Sequence, residues 1–219
     1  MLGACMHRGR RLAGMEEHDE SLHSKRRRAS CNNCSRPSTV CLCDAIPSPA
    51  IETSTHVIII QHPHESRHRL NTASLVTKSL ANATVIIGRR ITPDMHPLLS
   101  KQPPVPAFYL FPPSPAASAT RLSSLQRSTG AETGSRILIV FDATWKHASE
   151  MVRASEGYLG RFATRVCLDG FRGDEAGGNI WDSGLLLRKE PCHGCVSTLE
   201  AVARWLGAVE EKGPTLKRG

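Results

Sequence analysis

The sequence contains no apolar stretch approaching the roughly 20 residues that a membrane-spanning helix requires, and its N-terminus lacks the apolar core of a secretory signal. The first absence excludes a helical membrane protein, and together they lead to the expectation of a soluble intracellular protein, cytoplasmic or nuclear. The chain is also short of acid: 28 Lys and Arg face 20 Asp and Glu, a formal charge of +8. Residues 31–219 alone carry 21 basic against 16 acidic residues, or +5, so the excess is not confined to a tail. Such a balance points to a polyanionic partner such as RNA. At 219 residues the chain has room for one α/β domain with a small appendage and not for two domains of ordinary size.

Eight cysteines are present. In a reducing compartment, clustered thiols serve metal binding or redox chemistry more often than structural disulfides. Cys31 and Cys34 are followed, after six intervening residues, by Cys41 and Cys43. Two claws of thiolates joined by a short turn suit a tetrahedral zinc ion, and four protein ligands would close the site and make it structural. A rival pairing would join Cys31 and Cys34 to Cys192 and Cys195.

Residues 1–30 show no periodic apolar pattern and end in Lys25-Arg26-Arg27-Arg28, which reads as a disordered basic arm. That run is either a solvated charge cluster, a nuclear address or an RNA-contacting arm. Arg8, Arg10 and Arg11, with no acid before Glu16, also fit an organelle transit segment. A cysteine-rich module is expected over 31–50, the main domain over 51–211 and a flexible tail over 212–219.

In the main domain, His56–Gln61, Thr84–Gly88, Ala107–Phe111, Ile137–Phe141, Arg165–Leu168 and Leu185–Leu187 read as strands. Several are apolar at nearly every position, the mark of a parallel sheet covered on both faces by helices. Helices are expected over Arg67–Asn82, 116–127 and Trp145–Ala154, with another starting at the capping box Ser197-Thr198-Leu199-Glu200. The proline-rich 92–106 and glycine-rich 170–182 read as surface loops. This is an α/β protein with a mostly parallel sheet flanked by helices.

Ligands of such sheets bind beyond the carboxyl ends of the strands, which is where Asp142 and Thr144 follow Ile137–Phe141. Either residue could instead cap the next helix. Trp145, sharing a helix face with Ala148 and Val152, reads as a core anchor, and His62 and Glu65 as ligand groups or as the polar loop that any strand end needs.

Taken in order, these pieces resemble the DTW-domain family, tRNA-uridine aminocarboxypropyltransferases placed with the SPOUT-like α/β-knot fold. The matching elements are Cys31-x-x-Cys34-x-Arg36-Pro37 with Cys41-x-Cys43, Gln61-His62-Pro63-x-Glu65, Leu110-Phe111-Pro112, Asp142-x-Thr144-Trp145, and Leu187-Arg188-Lys189-Glu190-Pro191 leading to Ser197-Thr198-Leu199-Glu200-Ala201. The resemblance implies transfer of the 3-amino-3-carboxypropyl group of S-adenosylmethionine to N3 of a uridine in tRNA. It implies Asp142, Thr144 and Trp145 as the catalytic set, with Asp142 either taking the uridine proton or gripping the ammonium of the co-substrate. It places S-adenosylmethionine against Leu110, Phe111, Pro112, Asp142, Arg188, Glu190, Ser197 and Thr198. Arg36, His62, Glu65 and Lys189 would contact tRNA, zinc would sit on Cys31, Cys34, Cys41 and Cys43, and no membrane or obligate protein partner is implied. The chain departs from the family in a short helical region after Ala201 and in the thiol-rich Cys192-His193-Gly194-Cys195. The competing readings are a SPOUT-type RNA methyltransferase using the same co-substrate and an inactive zinc-ribbon RNA-binding isoform.

Overall fold

The computed structural model describes residues 29–68, 70–100, 103–128, 134–169 and 196–210. Six strands, β1 (Thr55–Gln61), β2 (Ala83–Ile87), β3 (Ala107–Leu110), β4 (Thr120–Arg121), β5 (Arg136–Asp142) and β6 (Ala163–Cys167), form one sheet in the order β2-β1-β5-β3-β6-β4. Every pairing is parallel. Among the described residues, four α-helices cover it: α1 (Ala73–Ser79), α2 (Leu122–Ser128), α3 (Trp145–Leu159) and α4 (Thr198–Val209).

The run Ile137-Leu138-Ile139 is completely buried because β5 lies between β1 and β3 with helices on both sides. Alternate residues serve the two faces. Val57, Ile59, Leu138 and Val140 pack with Val76 of α1, Leu122 of α2 and Val202 and Trp205 of α4. Ile58, Ile60, Ile137 and Ile139 pack with Met151, Val152 and Leu159 of α3. The α/β architecture expected from the uninterrupted apolar runs is therefore the one observed. The expected strand Leu185–Leu187 and the loop 170–182 lie outside the described residues. No helix among the described residues is long and apolar enough to cross a membrane.

Several expected boundaries are corrected. The helix expected over 67–82 begins only at Ala73, after a single 3-10 turn at Glu65–Arg67, and Leu70 is exposed. The cause is Asn71, whose Oδ1 accepts from the backbone N–H of Ala73 at 2.8 Å and Ser74 at 3.4 Å, starting the helix there. In the stretch expected as helix over 116–127, Thr120 and Arg121 form β4 beside β6, and the helix starts at Leu122. The helix expected to end at Ala154 continues to Leu159, which is fully buried. The proline-rich loop is not all surface: Leu99 is buried in the α3-side core, and Tyr158 Oη donates to its carbonyl at 2.6 Å.

At the opposite edge, where the strands begin, Glu210 just after α4 receives the backbone N–H of Thr55 at 2.9 Å, Thr55 Oγ1 at 2.5 Å and the backbone N–H of Ser54 at 3.0 Å. Burial acts to raise this carboxyl, but the donors from Thr55 and Ser54 outweigh it and hold it below its ordinary value of 4.5. A carboxyl depressed in the folded state contributes stability above its unfolded pKa and loses that contribution as pH falls through the folded one. Glu210→Gln should therefore cost about 1–3 kcal/mol at pH 7, since an amide N–H would then face backbone donors. In urea unfolding, the gap between wild type and variant should close as pH drops through and below 4. A gap that stays undiminished at pH 3 would show that the charge on Glu210 is not what holds α4 to β1.

Candidate functional site

The chain leaves β1 for β2 on one side, while β3 and β6 lie on the other, so the order reverses around β5, and the crevice of such a sheet opens at the carboxyl ends of these strands. Asp142 is the last residue of β5, 6% exposed, and directly opposite Gln61, the last residue of β1. Its Oδ2 accepts from Gln61 Nε2 at 2.9 Å and Asn71 Nδ2 at 2.7 Å, and its Oδ1 accepts from Thr198 Oγ1 at 2.6 Å. Its carbonyl takes the N–H of His62 at 2.9 Å. One carboxylate thus ties together two strand ends, the turn before α1 and the first residue of α4. Asp142 is not a helix cap: Thr144 caps α3, and Ser197 caps α4 by accepting from Glu200 N at 3.2 Å. Gln61 and Asn71 were not among the sequence-derived site residues. Gln61 was accessible from register, because it ends the strand neighbouring β5.

Beside this network lies a largely apolar pocket whose wall includes Leu110, Phe111, Pro112, Val140, Trp145 and Thr198. Four of the residues that the resemblance assigned to the co-substrate, Leu110, Phe111, Pro112 and Thr198, therefore share one cavity, and Asp142 reaches it through Thr198. Trp145 is not the core anchor that its helical spacing suggested. Ala148 and Val152 are buried, but Trp145 is 37% exposed and its indole stacks on Phe111 with ring centres 5.3 Å apart and planes at 12°. It occupies the first position of α3, just past the end of β5.

Arg165 of β6 holds the other side of this wall. Its side chain is 5% exposed, pairs with Glu156 at 2.6 Å, and donates to the carbonyls of Phe111 and Pro112. Its guanidinium lies over the Phe111 ring, 5.2 Å from the centre. Sequence reasoning read Arg165 only as part of a strand.

On the α3 side of the sheet, His62 is 4% exposed and stacked on His147, with centres 4.2 Å apart and planes at 11°, and His64 meets both rings edge-on. Burial, then the charges of His147 and His64, keep His62 below the usual imidazole value and favour its neutral form. Three imidazoles whose nitrogens lie within 4.8 Å could hold an ion in principle. The parallel His62 and His147 rings direct their in-plane lone pairs along separate planes, however, and in this arrangement those lone pairs do not converge. His62 is too enclosed to present its ring to a macromolecule, whereas Glu65 is half-buried at the start of its 3-10 turn. Arg188, Lys189 and Glu190 lie outside the described residues.

The four N-terminal thiols converge as their spacing predicted. Cys31 and Cys43 Sγ are 3.4 Å apart, Cys34 and Cys41 Sγ 3.7 Å, and all four lie within 4.8 Å of one another. A tetrahedral ion with metal–sulfur bonds of about 2.3 Å requires sulfur separations of about 3.8 Å, so this donor set could hold one metal ion. Backbone N–H groups of Leu42 and Arg36 bring the Cys34 thiol down to about 6, while crowding by Cys31 and Cys41 pushes Cys43 up to about 12. Ser35 takes a left-handed φ of 59° to turn the first claw, and the Nε and Nη1 of Arg36 are buried without a hydrogen-bond partner. Cys192 and Cys195 lie outside the described residues.

The DTW domain family matches residues 28–218. Over 95% of its length the chain is 47% identical to "tRNA-uridine aminocarboxypropyltransferase A" of Arabidopsis thaliana, covering 81% of that protein. It is 28% identical to "tRNA-uridine aminocarboxypropyltransferase 2" of Drosophila melanogaster, over 88% of this chain and 70% of that one, and 31% identical to the protein of the same name from Macaca fascicularis, over 85% and 58%. No solved structure matches it. A polar network and an apolar pocket at the carboxyl edge of a parallel sheet, reached by the motifs that first suggested the resemblance, thus accompany a family match over most of the sequence: the chain belongs to the DTW domain family.

Proposed function

We propose that this chain is a tRNA-uridine aminocarboxypropyltransferase that moves the 3-amino-3-carboxypropyl group of S-adenosylmethionine to N3 of a uridine in tRNA. The observation that carries this reading is the 47% identity to a protein of that name, spanning the residues that build the pocket beside Asp142. When bound, the co-substrate supplies a sulfonium-activated γ-carbon; the bond from sulfur to that carbon breaks as the bond to N3 forms, and methylthioadenosine leaves as a neutral thioether.

The protein's task is to place that carbon in line with N3 and to let the N3 proton go. The apolar wall of Leu110, Phe111 and Val140 suits an adenine ring, with Thr198 the polar group at its margin. A carboxylate has about four lone-pair sites, and three of those on Asp142 are engaged. The fourth, on Oδ1, can accept one further hydrogen, from the co-substrate's ammonium or from uridine N3. This favours Asp142 as an anchor that holds Thr198 and contributes at most one contact to the reactants. Arg188 and Glu190 remain our candidates for the carboxylate and ammonium of the transferred group, and Lys189 and Arg36 for tRNA phosphates. The basic surplus supplies the sequence-independent part of tRNA affinity.

Nucleoside mass spectrometry of tRNA incubated with the protein and S-adenosylmethionine should show uridine heavier by one aminocarboxypropyl group, with methylthioadenosine as co-product. Release of S-adenosylhomocysteine would instead identify a methyltransferase.

We also read the cysteine cluster as a structural zinc site, supported by the sulfur separations above. Purified protein should contain about one equivalent of zinc, lost in the Cys41→Ser, Cys43→Ser double variant. Full zinc in that variant would reject this grouping, and loss on replacing Cys192 and Cys195 would favour the rival pairing.

A further inference from the structure

We propose that the bend Arg89-Arg90, with His64 beside it, is the surface that holds the sugar–phosphate backbone of tRNA next to the target uridine. The inference rests on the transferase reading and names the part of that site that takes the nucleic acid. β2 stops at Ile87, which is in register with Gln61, which in turn faces Asp142. Neighbouring strands lie about 4.8 Å apart, so the chain leaves β2 at the edge that carries Asp142 and only about 10 Å along it. The bend is braced on both sides. Before it, the N–H of Gly88 donates to the carbonyl of Gln61 at 3.0 Å, and Met95 packs so closely on Gly88 that a Cβ there would lie 2.5 Å from its methyl carbon. After it, the N–H of the buried Ile91 donates to Ser155 Oγ of α3 at 3.0 Å.

What this braced bend presents is two uncompensated guanidinium groups. Arg89 and Arg90 are both exposed, and among the described residues neither side chain makes an ion pair or a hydrogen bond, whereas Arg165 and Arg204 are paired with Glu156 and Glu200. A guanidinium can take two phosphate oxygens at once, and a fixed backbone reduces what the side chain must give up to do so. His64 extends the same surface. It is exposed, its N–H donates to His62 Nδ1 at 3.3 Å, and its ring stands edge-on to both His62 and His147, which fixes its orientation. The charge of Arg89 is among those acting on His62, which places that guanidinium beside the imidazoles. Glu150 is the acid that acts on the same ring, and Lys146, also exposed, joins His147 to Trp145 at the pocket. A uridine whose base enters the pocket leaves its own and neighbouring phosphates outside, and contacts to them position the nucleic acid without reading its sequence.

The test compares wild type with the double variant Arg89→Gln, Arg90→Gln. The control is Lys78→Gln, Arg161→Gln, which removes the same charge from the last turn of α1 and from just before β6, at the opposite edge of the sheet. tRNA affinity is measured as a function of salt, S-adenosylmethionine affinity by calorimetry, and turnover by steady-state kinetics. Each phosphate contact contributes about 0.7–0.9 to the slope of log affinity against log salt concentration. The bend variant should therefore lose about 1–2 units of slope and about tenfold or more in tRNA affinity at about 0.1 M salt. Its KM for tRNA should rise accordingly, with kcat and S-adenosylmethionine affinity within about twofold of wild type, and the control should keep the wild-type slope. A bend variant with the wild-type slope, or a control that loses as much, would overturn the proposal, the latter reducing the effect to net charge. A wild type that binds tRNA but modifies no uridine would defeat the transferase reading alone, and the slopes would still decide the bend. A wild type that modifies uridine while the bend variant keeps its slope would leave that reading standing and overturn the bend.

Discussion

The carboxylate of Asp142 is the constraint on which the rest of the site depends. Its donors come from three separate segments, Gln61 at the end of β1, Asn71 before α1 and Thr198 at the start of α4. A buried carboxylate needs such partners to offset its desolvation, and each partner is itself committed: Asn71 starts α1 with its other amide atom, and Thr198 lines the pocket. The place where four elements meet is therefore fixed by the demand of one charged group for donors. The apolar pocket follows from it, since the same junction sets α4 against the ends of β5 and β6.

The two edges of the sheet divide the work. At the edge where strands begin, Glu210 binds α4 to Ser54 and Thr55, and Arg136 donates to the carbonyl of Val209 at 3.1 Å. These contacts hold the far end of α4, so that its first turn is available to the network around Asp142. At the other edge, polar groups gather on both faces of the sheet, Asp142 with Gln61 on the α1 and α4 side and the stacked His62 and His147 on the α3 side. Thr144 lies between them, capping α3 and meeting His147 Nδ1 at 3.1 Å.

Much of this was legible in the sequence for identifiable reasons. Continuous apolar runs such as Ile137–Phe141 arise only where both faces are covered, and four cysteines within thirteen residues have few uses other than a metal. What escaped was set by tertiary contacts that leave no periodic trace. The apolar spacing at Leu70, Ala73 and Val76 started α1 six residues too early, because spacing carries no record of Asn71 turning its side chain to the N–H of Ala73. Trp145 shares a helix face with Ala148 and Val152, but helical spacing carries no record that the first residue of the helix stacks on Phe111 beyond the end of β3. Arg165 looked like one more strand residue, since a basic group in a strand does not reveal that it will reach the backbone of a distant loop.

The central claim, that the Asp142 network builds the co-substrate site, is tested most directly by calorimetric affinity for S-adenosylmethionine in Asp142→Asn, Asn71→Ala and the double variant. In Asp142→Asn the amide oxygen can keep the Gln61 and Asn71 donors only if the N–H turns to Thr198, which then accepts with its hydroxyl oxygen and releases its own hydrogen. The three bonds thereby lose the carboxylate charge that strengthens them, and Asn71 cannot reverse its amide without releasing α1. Residues acting as one network are not additive. The account predicts that each single variant weakens affinity by about tenfold or more, consistent with about 1–3 kcal/mol for a buried partner left unpaired. It predicts that the double variant is scarcely worse than the poorer single one. Wild-type affinity in Asn71→Ala, or losses that simply add, would contradict it.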